Sequence, residues 1–387
     1  MRGSIVKRGN YYSVVLDLDA DPTTGKRRQK WHSGYRTKRE AAAALAELVS
    51  SVNRGAYVPK SRQTVAEYLD EWLAAIEPIV RPSMHYSYSR NVHLHVLPYL
   101  GSTPLAAVDA GALNGLYARL LAEGRRNHAG GGLSPRSVRY VHTIAHRAFK
   151  DAVKWGRLVR NPADAADPPR GTSSGSPDIL TWTAEQLGAF LEGVRGDRLS
   201  AAYCLLATTG MRRGEALGLR WADVNLDDGR AAIRQTVIAV NHQPVVGTPK
   251  TAKGRRTVRL DTATVAALRE HRTRQAAERL QMGAGWTDHG LVFCRVDGTV
   301  LHPERFSRSF GDRVRQLGLP KIRLHDLRHG WATMALGAGV HPKVVQERLG
   351  HANIGITLDV YSHVTAGLHD DAAERVAGLV FGPLAVR

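Results

Sequence analysis

The sequence of 387 residues is long enough for two or three domains with cores of their own. No run of 18 or more uncharged apolar residues marks a membrane span, and the opening MRGSIVKRGNYYSVVLDLDA lacks the apolar segment of a signal peptide, so the expected place is the cytoplasm. Lys plus Arg number 54 against 35 acids, a formal charge of +19, which predicts a polyanionic partner, nucleic acid rather than a membrane; Cys204 and Cys294 stand outside any CxxC and argue against a disulfide framework or a cysteine zinc site.

In chain order, residues 1–60 form a small α+β unit. YYSVVLDLDA alternates as a strand and runs into the polar turn DPTTGKR, and a second extended stretch lies around Gln29–Gly34. TKREAAAALAELVSSVNRG predicts a helix with Thr37 as its N-cap and Gly55 just past its end. This unit carries 12 Lys or Arg against 5 acids, which suits a DNA-contacting face.

YVPKSRQT, with Pro59, marks a boundary. Residues 61–166 then read as all-α. TVAEYLDEWLAAIE has the Thr64–Glu67 spacing of a capping box, with Leu69, Trp72, Leu73 and Ile76 at helical spacing. HYSYSRNVHLHVLPYLG predicts a second helix ending near Pro98, DAGALNGLYARLLAEG a third, and SPRSVRYVHTIAHRAFKDAVKWGRL a long fourth. The Pro-, Gly- and Ser-rich segment 161–178 is the clearest linker, its core at 167–178.

Residues 179–387 predict a mainly α domain with a small β-sheet. AAIRQTVIAV and RRTVRL read as strands around the turn TPKTAKG, and the chain from 261 on is largely helical. It has no Rossmann glycine pattern, Walker A, HExxH or EF-hand loop, and no carboxylate cluster of the kind a two-metal nuclease needs.

Four stretches of this domain carry polar residues where a core pattern would be apolar. In TTGMRRGEALGLRWADV, Arg212 and Glu215 are three apart and can pair across one turn. In TPKTAKGRRTVRL, Lys250 sits at a turn from which it can reach a phosphate, and Lys253 sits at the same turn. In LHDLRHGWATMALGAG, His325 and Arg328 share a helical face, with His329 expected to point elsewhere. In LGHANIGITLDVYSHV, His351 follows a glycine and Tyr361 lies ten residues on. Taken alone, Tyr361 reads as a core aromatic. Two arginines, a lysine and histidines around one tyrosine suit a phosphodiester: guanidinium binds nonbridging oxygens bidentately, imidazole supplies acid–base help, and a phenol of pKa near 10 becomes a nucleophile once its proton is taken.

TGMRRGE, TPKTAKG, HDLRH, LGH and YSHV, in this order, resemble the boxes of the tyrosine recombinases of the phage integrase family. The resemblance implies that Arg212 and Arg328 clamp the scissile phosphate, and that Lys250 (Lys253 being the alternative) is the general acid toward the 5′-hydroxyl. It further implies His325 as acid–base partner, His351 as a phosphate hydrogen-bond donor, Tyr361 as the nucleophile that forms a 3′-phosphotyrosine, and Glu215 as a structural residue. It implies the tyrosine recombinase fold: an arm-type DNA-binding domain at 1–60, a core-binding domain at 61–166, and a catalytic domain at 179–387 that closes with its neighbour around one duplex. The implied partners are double-stranded DNA at attachment sites and three further copies of the chain, a homotetramer on synapsed DNA in the bacterial nucleoid. The reaction needs no cofactor and no metal. A tail at 365–387 is expected to pack on a neighbouring subunit. The sheet unit at 1–60 favours an integrase of a phage or mobile element over a chromosome-dimer or plasmid resolution recombinase, and strand exchange separates either from a type IB-like topoisomerase. Host bending factors and excision factors are left open.

Overall fold

The computed structural model describes residues 3–18, 25, 28–53, 61–126, 130–170, 180–249, 254–351, 353–355 and 357–358. Most of the turn after the first predicted strand, Gly55 and Pro59, much of the linker, Lys250, Lys253, Tyr361 and the tail at 365–387 lie outside these residues. The chain divides into two compact units, Met1–Ser174 and Gly175–Arg387. Among the described residues no helix is long and apolar enough to cross a membrane.

The first unit opens with β1 (Gly3–Arg8), β2 (Tyr11–Leu18) and β3 (Arg28–Tyr35), an antiparallel meander in the order β1-β2-β3. Gly9, at φ 58°, supplies the left-handed corner of the two-residue turn between Arg8 and Tyr11. Helix α1 (Lys38–Asn53) follows. Its expected cap is present: Thr37 Oγ1 accepts the Glu40 N–H at 3.2 Å, and the Glu40 carboxylate accepts the Thr37 N–H at 3.4 Å. Val14, Val15 and Leu16 of β2 and Ala41 of α1 are buried. The Arg8 guanidinium lies 4.6 Å from the Trp31 ring centroid, which leaves basic and aromatic groups together on exposed sheet positions.

The helical part consists of α2 (Val65–Ile76), α3 (Pro82–Asn91), a π turn over Val92–Val96, α4 (Leu97–Leu100), α5 (Ala110–Glu123) and α6 (Pro135–Lys154). The Thr64–Glu67 capping box forms as expected, and Leu69, Trp72, Leu73 and Ile76 point into one core with residues of α5 and α6. Burying each of these large side chains contributes about 2 kcal/mol of transfer free energy. The second predicted helix runs two residues past Pro98, to Leu100. The Leu97 N–H reaches back five residues to the Val92 carbonyl, and this widened turn spares the proline ring the clash a regular helix would impose.

The second unit consists of α7 (Ala184–Gly193), α8 (Ser200–Thr209), α9 (Arg213–Leu217), β4 (Val224–Asn225), β5 (Arg230–Ile233), β6 (Thr236–Val240), β7 (Gln243–Gly247), β8 (Arg256–Arg259), α10 (Thr262–Met282), α11 (Pro303–Gln316), α12 (Asp326–Gly337) and α13 (Pro342–Leu349). AAIRQTVIAV, read as one strand, is two: β5 joins the sheet β4-β5-β8, and β6 pairs with β7. Strand β7 was not foreseen, because QPVVG is short and begins beside a proline. Its hairpin turns through Asn241 and His242, both at positive φ, 47° and 57°, as a two-residue turn of that hand requires. The core is aromatic at its centre, where Phe190, Tyr203, Phe306 and Phe310 pack with ring centroids 5.1–5.9 Å apart.

Candidate active site

Helix α8 ends at Gly210 in the left-handed conformation, φ 64°. A Cβ there would come within 2.6 Å of Leu349 Cδ2 and 3.1 Å of Trp331, so the close approach of α12 and α13 also demands glycine. Two residues on, Arg212 is extended and begins α9. Its N–H donates to Glu215 Oε2 at 2.9 Å and its guanidinium to Glu215 Oε1 at 2.8 Å, the pairing that the three-residue spacing predicts. The other arm of Arg212 donates to the Gly350 carbonyl at 3.2 Å.

Glu215 is buried and takes a second cation. Arg256 of β8 donates to both its carboxylate oxygens, at 3.1 and 2.9 Å. Burial pushes the Glu215 carboxyl upward, but the bonds from Arg256 and Arg212 outweigh it and hold the pKa below the usual carboxylate range. Glu215 is therefore an anion at neutral pH, with both oxygens already engaged.

His325 stands at the N-cap of α12, and Arg328 in its first turn. Arg328 is 4% exposed and donates to the Gly210 and Leu349 carbonyls, each at 2.7 Å. These are the C-terminal ends of α8 and α13, where the helix dipole places partial negative charge. Burial, with Arg212 beside it, lowers the Arg328 pKa to about 9, so the group remains a cation at neutral pH. His329 does not point away from His325: the two rings meet edge to face with centroids 5.1 Å apart, because residues four apart share a helix face.

Helix α13 ends at Gly350, again left-handed at φ 67°, and the reversal presents His351. The His351 N–H bonds the Gln346 carbonyl at 3.1 Å, and Nδ1 lies 2.9 Å from Thr357 Oγ1, which leaves Nε2 as the outward nitrogen. Burial, followed by Arg328 and Arg212, lowers the His351 pKa to about 4. Burial, followed by His329 and Arg328, lowers that of His325 to about 4 as well, although His325 stays open to solvent, which moderates the shift. Both rings are neutral at pH 7 in the free protein.

Arg212, His325 and His351 line one cleft of about 940 Å³, and Arg328 lies behind it, out of its wall. Pro249 and Gly254, on either side of the four residues that include Lys250, line the same cleft. Leu358 is the last described residue before Tyr361. The structure thus brings together Arg212, His325, Arg328 and His351; Lys250 and Tyr361 lie outside what it describes. Sequence reasoning missed Arg256, which nothing local distinguishes from Arg255. It also missed Arg213, which reaches Ser307 Oγ at 2.7 Å and lines the cleft.

A cleft with cations on its wall and behind it, and with the Glu215 carboxylate already paired to two arginines, is shaped for a phosphodiester. Residues 182–367 match the phage integrase family, residues 4–52 an arm DNA-binding domain, and residues 64–111 the N-terminal SAM-like domain of phage integrases. The chain belongs to the phage integrase family and is a tyrosine recombinase. It is 26% identical to a XerC-like tyrosine recombinase of Caldanaerobacter subterraneus subsp. tengcongensis, over 97% of this chain and 98% of that one. It is 28% identical to an integrase of Streptomyces ambofaciens, over 90% of this chain and 88% of that one. Among solved structures it is similar in fold to a Tn1549 transposon integrase in complex with transposon right end DNA, with a TM-score of 0.64 and 21% identity over 81% of this chain and all of that one.

Proposed function

We propose that the chain is the integrase of a phage or other mobile element, which cuts and rejoins attachment-site DNA through a covalent 3′-phosphotyrosine. The observation that carries this reading is the convergence of Arg212, His325 and His351 on one cleft with the Arg328 cation directly behind them. In the first step the Tyr361 oxygen attacks the scissile phosphorus as its proton passes to His325, the bond to the 5′-oxygen breaks, and Lys250 protonates that leaving oxygen to give the 5′-hydroxyl. Arg212 and Arg328 stabilise the charge that develops on the nonbridging oxygens. His325 and His351, neutral before DNA arrives, can accept a proton or donate a hydrogen bond to the phosphate. In the second step a 5′-hydroxyl of the partner duplex attacks the phosphotyrosine and releases Tyr361. Each bond broken is replaced by one of equal kind, so the exchange needs no ATP.

Two duplexes cut on both strands need four tyrosines, hence a homotetramer on synapsed DNA. The division of labour is 1–60 for arm-type sites, 61–166 for the core site, a linker at 167–178, and catalysis in 179–387, within the bacterial cytoplasm at the nucleoid. The match of residues 4–52 to an arm DNA-binding domain favours an integrase over a resolution recombinase. The test is covalent trapping: the protein is mixed with a nicked duplex, selected from a random library by its affinity for the wild type, and run on a denaturing gel. An adduct in the wild type that is lost in Tyr361→Phe is expected. An adduct that persists in the variant would move the nucleophile elsewhere.

A further inference from the structure

We infer that Arg256 is the positioning residue for Arg212, acting through Glu215, and that it keeps the charge of Arg212 available to the scissile phosphate. The inference rests on the functional reading above and extends it to a residue outside the boxes that define the family resemblance.

The argument starts from an unequal sharing of one anion. The Arg256 side chain is 9% exposed and that of Glu215 4%, whereas Arg212 is 40% exposed. The buried arginine takes both carboxylate oxygens, and the cleft-facing one takes a single side-chain bond. Two cations and one anion leave one positive charge over, and the geometry places that surplus on Arg212. Without Arg256, the Glu215 carboxylate would be free to close on Arg212 in the fork-to-fork pairing that guanidinium and carboxylate prefer. That pairing would neutralise Arg212 and turn it away from the cleft.

Arg256 also holds the far wall. Its Nε donates to the Arg348 carbonyl at 2.6 Å, in the last turn of α13, two residues before Gly350. The Gly350 carbonyl is in turn an acceptor for Arg212. The hydrogen bonds therefore close a ring: Arg256 to Glu215 to Arg212 to Gly350, and back along the chain to Arg348 and Arg256. The segment that presents His351 and the arginine that faces the phosphate are set by the same side chain. Lysine, with one charged nitrogen, cannot reach both Glu215 oxygens and the Arg348 carbonyl together.

The experiment compares wild type, Arg256→Gln and Arg256→Lys on the selected nicked duplex, and on the same duplex with an uncharged methylphosphonate at the position where wild-type cleavage maps. Duplex affinity, thermal midpoint and rate of adduct formation are measured for each. Arg256→Gln is expected to bind with unchanged affinity but to form the adduct about 100-fold more slowly, the cost of a small misplacement of a phosphate-binding group. Arg256→Lys, which keeps a charge near Glu215, is expected to fall between the two and carries the test if the glutamine variant does not fold. On the methylphosphonate the deficit is expected to shrink, because no anionic oxygen remains for Arg212 to neutralise. A wild-type rate in Arg256→Gln, or an equal deficit on both substrates, overturns the inference. Absence of an adduct from the wild type overturns the functional reading itself.

Discussion

Arg328 Nη1 donates to the Gly210 carbonyl at 2.7 Å across 118 residues of chain, and by that bond the second arginine of the site is anchored to the end of the helix that introduces the first. Its other arm, on the Leu349 carbonyl, anchors it to the helix that introduces His351. One buried guanidinium thus ties three boxes of the sequence to one place.

Arg328→Lys should break this tie. A single ammonium cannot satisfy both carbonyls, and one buried acceptor loses a charged donor, which costs about 2–3 kcal/mol. Urea denaturation of the variant should show that loss. Adduct formation should fall further than stability alone accounts for when the assay is run where the variant is fully folded.

Gly210→Ala tests the approach of the helices. The left-handed backbone costs a non-glycine residue about 1–2 kcal/mol and the contact with Leu349 and Trp331 about as much again. A drop of about 3 kcal/mol in unfolding free energy is expected. A change near zero would mean that α8 and α13 are not held this close.

Acidification should weaken the free protein before its carboxylates titrate. His325 and His351 have folded-state pKa values lowered to about 4 from the ordinary 6.5, by burial first and then by neighbouring cations. The unfolded chain therefore binds more protons between these values. The stability they contribute is present above pH 6.5 and is lost as pH falls toward 4. The thermal midpoint should decline through that window and be flat from pH 7 to 8, with a shallower decline in His351→Asn. DNA supplies a phosphate that favours the protonated rings, so binding at pH 5–6 should take up protons, which calorimetry in buffers of different ionisation heat would detect.

Salt should act on binding in proportion to the phosphates neutralised. With a formal charge of +19, a plot of log affinity against log salt concentration should have a slope steeper than about −4. A slope near zero would count against a DNA-backbone footprint.

Much of the fold was legible because the signals are local. The Thr64–Glu67 and Thr37–Glu40 caps, the apolar repeat of α2 and the sheet-then-helix order of the first unit involve residues within one or two turns of each other. The division of AAIRQTVIAV was not legible, since each half is a good strand and only the pairing partner distinguishes β5 from β6. Nor was β7, too short for a periodic pattern.

The candidate site divides in the same way. Sequence by itself determined which residue types are available for phosphodiester chemistry, their order, and the Arg212–Glu215 pair, because that chemistry needs particular groups and a three-residue spacing brings two of them together on one turn. Tertiary structure alone decided that Arg328 lies buried behind the cleft, that His329 packs on His325, and that Arg256 completes the anion shared with Arg212. The distant partners of Arg328 and Arg256 are backbone carbonyls at helix ends and a carboxylate 41 residues away. Every residue carries a carbonyl, so no side-chain pattern marks the ones that will meet a guanidinium; only the packing of the helices selects them.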